Sequence, residues 1–517
     1  MNLRAKIFTF FLLFISAYSS VFAQSILYPQ EYLFEQLKIN ERINLKVDTT
    51  SKPNLFPYME KQDSLFYYKT GRNWLRRKLL QDNFIHIEKT DSTNNEKNRF
   101  ELVIDPLFNF STGQEQQLSK NSNTYNNTRG VIASLKINHN LFFETSFIEN
   151  QSVFPDYIAK QVTLKKDALG HGRWKPFKEN GFDYAMSSGV LWWKMNKHVQ
   201  VYAGHGKQKI GNGYRSFLLS DQSFNYPYLR FDLSFFNSKI NYTSTYALLM
   251  NLTPTVNINT NKPQGTEALL QKKPFSYQYL HFNIHKCFQL GLFQGIVWHA
   301  SDEKNKLNLT ADFFNPLLFA NLGIYGFKSK PLTLAGLDAK IQLTKTFNTY
   351  FQLCTDGKKD SLKNTQSIGL QTGVKWFNAF GLKNLFFQLE YNEFTNGLYQ
   401  SKLSVKQESY LHYNQSVGYA FNSNNGNEII CFIAYRYKRL LFSLKNNLLP
   451  DYSFQQSILL NEGKMSFILQ PKTNMNVSVG VISRNIHHDA TQLNSDKSKW
   501  LFISFATSLF NRYFDTQ

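Results

Sequence analysis

Charge is scarce in this chain of 517 residues: Asp, Glu, Lys and Arg together make up 18% of it. A soluble globular domain carries roughly 25%. Acids are the scarcer sign, 37 against 58 Lys and Arg, for a formal net charge of +21. Cysteine is nearly absent. Cys287, Cys354 and Cys431 are odd in number and far apart, which argues against a disulfide framework or a paired-cysteine metal site. Each lies in a β-like segment and reads as a packing thiol. No internal apolar run approaches the roughly 18 residues of a membrane helix, so a helical membrane protein is excluded. What the chain has in excess is aromatic: 47 Phe, 28 Tyr and 7 Trp. That content also excludes disorder, which is poor in aromatics. The combination suits a large β protein with surface facing lipid.

The first 23 residues read as a signal peptide. Arg4 and Lys6 form a basic start, Ile7 to Ile15 an apolar stretch, and Val21-Phe22-Ala23 a small-residue cleavage site before Gln24. No Cys stands at that point to carry a lipid anchor. Residues 24–99 form a second unit, a periplasmic helical segment or plug. Pro29 to Ile39 and Asp63 to Leu80 have helical spacing, and Arg72, Arg76, Arg77 and Lys78 make the second helix basic. Phe84 to Ile87 reads as a short strand. Two placements are open for this unit: solvated against a barrel mouth, or inserted as a plug.

From Phe100 to the end, segments of about ten residues alternate large apolar with smaller or polar side chains. Examples are Phe100, Leu102 and Ile104; Leu385, Phe387, Leu389 and Tyr391; and Val477, Val479 and Val481. Period two is the signature of a half-buried strand. About eighteen such segments occur, the last running from Trp500 to Phe514. Even-numbered segments end in short turns such as Asn138 to Asn140, Met195 to His198 and Phe236 to Lys239. Odd-numbered ones lead into long excursions, such as Ser152 to Asn180, Asn251 to Pro274, His299 to Thr333 and Asn392 to Asn427. Loop length sorted by parity describes a transmembrane barrel with periplasmic turns and extracellular loops. The predicted fold is therefore all-β: an antiparallel barrel of about 18 strands over residues 100–517, with a small helical segment before it. A closed barrel leaves no unpaired strand edge in lipid. The expected location is the outer membrane of a Gram-negative-type bacterium.

No catalytic signature is present: there is no G-x-S-x-G and no H-E-x-x-H. Gly204-His205-Gly206-Lys207 lacks the spacing of a phosphate loop and the Ser or Thr after its Lys. His487-His488-Asp489 reads as solvated surface rather than a metal site. No cofactor and no enzymatic activity are expected. The excursion Ser152 to Asn180 is the best binding candidate. Lys160, Lys165, Lys166, Arg173, Lys175 and Lys178 face three acids there, interleaved with Phe154, Tyr157, Trp174 and Phe177. Aromatic faces stack on sugar rings and cations neutralise carboxylate or phosphate. The competing reading is a loop folded back on the barrel, its aromatics forming a small core.

Gly204 to Gly206 with Lys207, Gly211, Gly213, Tyr214 and Arg215, followed by Leu218-Leu219-Ser220 and Tyr226-Pro227-Tyr228-Leu229, resembles the capsule-assembly Wzi-like family. Ile104-Asp105-Pro106, Phe154-Pro155-Asp156-Tyr157, Phe314-Asn315-Pro316 and Leu389-Glu390-Tyr391-Asn392 resemble the gliding-motility RemB-like proteins of Bacteroidetes. Ile210 stands where the Wzi pattern has Trp, and an expected acid is displaced to Asp356. The resemblance implies an eighteen-stranded outer-membrane barrel that organises exopolysaccharide without catalysis, or one serving surface motility. Tyr157, Lys165, Lys166, Arg173, Trp174, Lys175, Tyr214 and Arg215 are the candidate polysaccharide-binding residues. The expected partners are outer-membrane lipid or lipopolysaccharide, an anionic polysaccharide, and motility or export machinery, with no role for nucleic acid. A porin or transporter and a barrel hydrolase are the alternatives.

Overall fold

The computed structural model describes residues 31–45, 55–56, 84–91, 98–117, 121–254, 270–301, 306–307, 309–327, 331–359, 366–395, 397–399, 409–420, 425–451, 456–470, 473–488, 497–507, 509 and 512–515. The signal peptide, the basic second helix and Asp489 lie outside the described residues.

Eighteen long strands pair antiparallel and close on themselves. In chain order they are β1 (Asn98–Gln117), β2 (Asn121–Ile137), β3 (Leu141–Val153), β4 (Gly181–Lys194), β5 (Val199–Gly206), β6 (Tyr226–Phe235), β7 (Ile240–Pro254), β8 (Leu270–His285) and β9 (Phe288–Val297). The circuit continues with β10 (Leu332–Gln342), β11 (Phe347–Lys359), β12 (Gln366–Phe377), β13 (Leu385–Phe394), β14 (Gly426–Tyr437), β15 (Leu440–Asp451), β16 (Gln456–Gln470), β17 (Met475–His488) and β18 (Lys497–Ala506). Strand β18 pairs with β1 and seals the ring. Two short strands supplement the wall: Ile85–Asp91 beside β1 and Trp174–Phe177 beside β4.

The alternation in sequence becomes an inside-out protein. On β17 and β18, Val477, Val479, Val481, Leu501, Ile503 and Phe505 are exposed outward. The inward parity is polar and buried, with Gln352, Gln371, Gln388, Glu390, Asn392 and Glu428 all at 0% exposure. Water-soluble folds do the reverse, so the outward band is a lipid-facing surface. Ring closure satisfies the backbone that such a surface would otherwise strand.

Strands β1 and β2 run as one long hairpin whose pairing reaches Gln116 and Asn121, and one expectation needs correction. The last strand stops at Ala506 rather than Phe514. Beyond it Leu509, Tyr513 and Asp515 are buried, because the chain turns back into the lumen. There the Arg512 guanidinium donates to Asn126, Thr128 and Asn150.

The lumen is filled by the chain itself. Helix α1 (Tyr32–Asn44) enters from the short-turn end, longer and later than the spacing Pro29 to Ile39 predicts. It buries Gln36, Asn40 and Arg42 beside Tyr32, Phe34 and Leu37, a mixed face suited to a polar cavity. The Tyr32 hydroxyl donates to Gln388 at 2.7 Å, and Lys375 Nζ to Gln36 at 3.0 Å. Arg436 pairs with Glu41 at 3.0 Å and Lys464 with Glu31 at 3.4 Å.

Candidate functional site

Strand β5 ends at Gly206, and the motif-bearing stretch 207–225 leaves the wall and runs inward. Lys207 and Lys209 share the outward parity of Val201 and Ala203, which a continuous strand would aim at lipid. The strand end reverses this. Lys207 is 3% exposed and donates to the Asp221 carbonyl at 2.9 Å. Lys209 donates to the Tyr214 carbonyl at 3.2 Å and lies 5.0 Å over the Tyr32 ring.

Glycine is needed where this stretch meets the lumenal side chains. Gly211 has φ +125°, and a Cβ there would collide with Gln352; a Cβ at Gly213 would collide with Gln371 and Glu390. With no side chain between them, the backbone bonds directly to the wall. Glu390 accepts the Tyr214 amide at 2.7 Å and the Arg215 amide at 3.1 Å, and Gln352 accepts the Phe217 amide at 3.0 Å. The Arg215 guanidinium donates to both oxygens of Glu428 at 2.8 and 3.2 Å and to Asp515 at 3.3 Å. Tyr214 and Tyr513 lie against it at 4.8 and 5.4 Å. Lys445 adds bridges to Glu462 at 2.9 Å and Asp515 at 3.4 Å. Such a buried network holds only because the charges are paired and bonded. It ties the inturned stretch, the opposite wall and the C-terminal tail into one plug.

At the long-loop end the excursion after β3 forms a cap. Helix α2 (Asp156–Lys165) lies against inward side chains, with Phe154, Ile158 and Val162 packed among Phe182, Tyr184, Leu460, Ile482 and Trp500. The residues that follow reach further in. Asp167 accepts the Gly170 amide at 2.5 Å and Gln415 Nε2 at 3.2 Å. Burial raises the Asp167 carboxyl to about 7 against the pull of the Gly170 amide and Lys207, and burial pushes the His171 imidazole well below its ordinary range.

The eight candidate residues divide three ways. Lys166, Arg173 and Lys175 are exposed on the cap, as is Lys160. Tyr157, Trp174 and Lys165 serve the cap's own packing. Arg484 lies 5.3 Å over the Tyr157 ring, Trp174 Nε1 donates to the Val162 carbonyl at 3.2 Å and packs edge-on to Phe182, and the Lys165 carbonyl accepts from Asn414. Burial also depresses the Lys165 ammonium. Tyr214 and Arg215 lie below, at 6% and 1% exposure, committed to the plug. They do not join the cap. The loop aromatics thus form a core, while the cations face solvent. Sequence reasoning overlooked the carboxylates Glu390, Glu428 and Asp515. For the first two a signal existed: each is a charged residue at inward parity in a lipid-facing strand.

No family model and no curated protein matches the chain. Solved structures of similar fold include Wzi of Escherichia coli, described as an outer membrane protein involved in group 1 capsule assembly and as a carbohydrate-binding β-barrel. It is 12% identical, covering 78% of this chain and 85% of that one at TM-score 0.47. OccAB4 of Acinetobacter baumannii is 11% identical over 78% of this chain and 98% of its own at TM-score 0.42. OccK1 (OpdK) of Pseudomonas aeruginosa is 9% identical over 78% and 98% at TM-score 0.44. The membrane placement of this chain rests on its own outward faces.

Proposed function

We propose that this chain is a non-enzymatic outer-membrane barrel that binds and organises an anionic surface polysaccharide at its long-loop end. One observation carries the reading. The lumen is occupied by α1, the stretch 207–225 and the tail, while Lys160, Lys166, Arg173 and Lys175 remain exposed on the cap that α2 begins above them. A filled lumen serves diffusion poorly, and a rigid cationic cap serves a polyanion well. Each cation neutralises one sugar carboxylate or phosphate, with strength that falls as salt rises. The motif resemblance to Wzi-like proteins points the same way. The exposed basic turns at the other end, among them Lys197, Lys239 and Lys286, suit an anionic headgroup surface or export or motility machinery.

Cosedimentation of the refolded barrel with alginate tests the reading, with neutral dextran as control. Binding to alginate alone is expected, weakened at least tenfold by combining Lys166→Ala, Arg173→Ala and Lys175→Ala. Equal binding to dextran, or full binding by the triple variant, overturns it. A large steady current in planar bilayers would favour a porin instead.

A further inference from the structure

The barrel wall has a notch. Strands β5 and β6 are 8 and 10 residues long, between β4 of 14 and β7 of 15. On this side β4 pairs with β5 from Gly189 to Lys194 and with Trp174–Phe177 from Gly181 to Tyr184. On this edge Ala185 to Ser188 therefore have no ladder partner among the described residues, their other edge being paired with β3. Across the notch, β7 pairs with β6 only up to Ala247. From Leu248 onward the same edge of β7 has no ladder partner among the described residues, while its other edge stays paired with β8.

Chain from the far side of the barrel patches this notch. The hairpin formed by Leu411–His412 and Gln415–Ser416 sits in the excursion between β13 and β14. The Tyr413 amide donates to the Met250 carbonyl at 3.0 Å. His412 clasps both neighbours: its Nδ1 accepts the Met250 amide at 3.0 Å, and its Nε2 lies 3.0 Å from the Asn225 carbonyl. Nε2 therefore carries the proton. Asn225 Nδ2 donates to the Ser187 carbonyl at 2.6 Å and reaches the other edge. The patch is incomplete. A cavity of about 240 Å³ remains, lined by Phe147, Ser187, Phe224, Pro227, Met250 and Tyr413, with both His205 and His412 in its wall.

Two observations identify its occupant. Phe147 and Ser187 point outward, and Phe147 is 50% exposed, so the cavity opens toward lipid rather than the lumen. Its mouth also sits at the top of the apolar band. One outward position beyond the Val131–Phe147 pair stands the exposed ion pair Arg129–Glu149, which marks the headgroup level. At that depth the apolar matter available in quantity is the acyl chain of an outer-leaflet lipid. The cavity is also smaller than the roughly 300–1,000 Å³ of a pocket that buries a whole small molecule, as one chain segment requires. We propose that the notch is a lateral crevice binding a lipid acyl chain, its inner wall formed by 224–227 and the His412 hairpin. This is independent of what the cap binds.

The test uses the full chain in phosphatidylcholine nanodiscs doped with phosphatidylcholine carrying a mid-chain diazirine. Photolysis and peptide mapping are expected to place adducts on 224–227 and 412–413 at a yield within tenfold of that on Val131. Ser187→Trp fills the mouth and should cut those adducts at least tenfold while leaving the Val131 adducts unchanged. Ala185→Trp serves the same end should Ser187→Trp lose heat-modifiable gel mobility. Adducts confined to the outward band in the unmodified chain overturn the crevice. So do adducts on 224–227 and 412–413 that a folded mouth-filling variant leaves undiminished.

Discussion

Two arcs of the same barrel solve the lipid problem differently. From β14 to β18 the wall is complete and its outer face is mainly apolar: Ile429, Ile433, Phe442, Leu444, Met465, Val479 and Ile503 are exposed. From β4 to β9 the wall is notched, and its outer face carries polar groups. Ser244, Ser276, Gln278 and Gln294 sit at outward parity, yet all are buried. The excursion after β9 covers them. Residues 311–314 form a 3-10 turn, and helix α3 (Ala320–Tyr325) follows. Phe313 packs against Ile296 and Trp298, while Phe314, Leu317 and Ile324 are exposed beyond. Irregular backbone is costly in lipid, and the wall's polar groups answer that cost. The Tyr246 hydroxyl donates to the Phe314 carbonyl at 2.9 Å, Gln278 Nε2 to the Asn315 carbonyl at 3.3 Å, and the Tyr242 hydroxyl to the Pro316 carbonyl. Outward polarity is thus a sign of covering chain, not of a misplaced strand.

The largest effect is expected where the two arcs are joined. Arg215 belongs to the stretch leaving the notched arc, and Glu428 to β14 of the plain one. Arg215→Ala leaves Glu428 and Asp515 buried with one cation fewer, which costs about 3–5 kcal/mol. Urea unfolding in detergent micelles should show it. A loss below about 1 kcal/mol would mean that the arcs are held together by other contacts.

Next comes the cap, which closes over both arcs. The Asp167 carboxyl, raised to about 7 from its ordinary 3.8, binds more protons folded than unfolded between those values. Cap stability therefore falls as pH rises from about 4 to 7, by at most ~1.4 kcal/mol per unit, and levels above. Amide protection factors in α2, taken against the unfolded chain's rate at each pH, should fall over that window, and Asp167→Asn should flatten their profile.

How legible all this was depends on the arc. All eighteen strands and the inward–outward parity follow from apolar alternation, because lipid outside and a polar lumen inside impose period two on nearly every residue. Val477, Val479 and Val481 show it plainly. The long excursions were visible as interruptions, but not where they fold. Nothing local in Ala311–Phe314 says that it descends the outer wall, and nothing in Leu411–His412 says that it crosses to β7. Those positions are set by partners remote in sequence, 68 residues away in the Tyr246–Phe314 bond and 162 in the His412–Met250 bond. The strand ends at Gly206 and Ala506 were hidden for the same reason: parity continues in sequence after the backbone has turned inward. Candidate cations on the cap were readable from charge density. Tyr214 and Arg215 were not separable from them, because a buried cation and an exposed one look alike until its carboxylates are located.

On the plain arc, a charge facing out has nothing to cover it. Val479 is 42% exposed in the middle of the outward run Val477, Val479 and Val481. Val479→Arg should cost about 2–4 kcal/mol if the site lies near the bilayer midplane, and less toward an interface. Equilibrium folding into lipid vesicles measures it. Tolerance at this position would erase the distinction between the arcs.

On the covered arc the sensitive group is the hydrogen bond rather than the charge. Gln278 donates to the Asn315 carbonyl and accepts from Gln294, both at 3.3 Å. Gln278→Leu keeps the side chain's bulk but strands a donor and an acceptor in an apolar setting, at about 1–3 kcal/mol. The loss should be local: faster amide exchange in 311–325 within nanodiscs, with β14 to β18 unchanged. Adding Gln294→Leu removes the orphaned donor as well and should recover part of the loss, since deleting both partners of a buried bond is less costly than deleting one. If the double variant is instead the worse of the two, the outward polar pair supports the wall itself and not the chain lying on it.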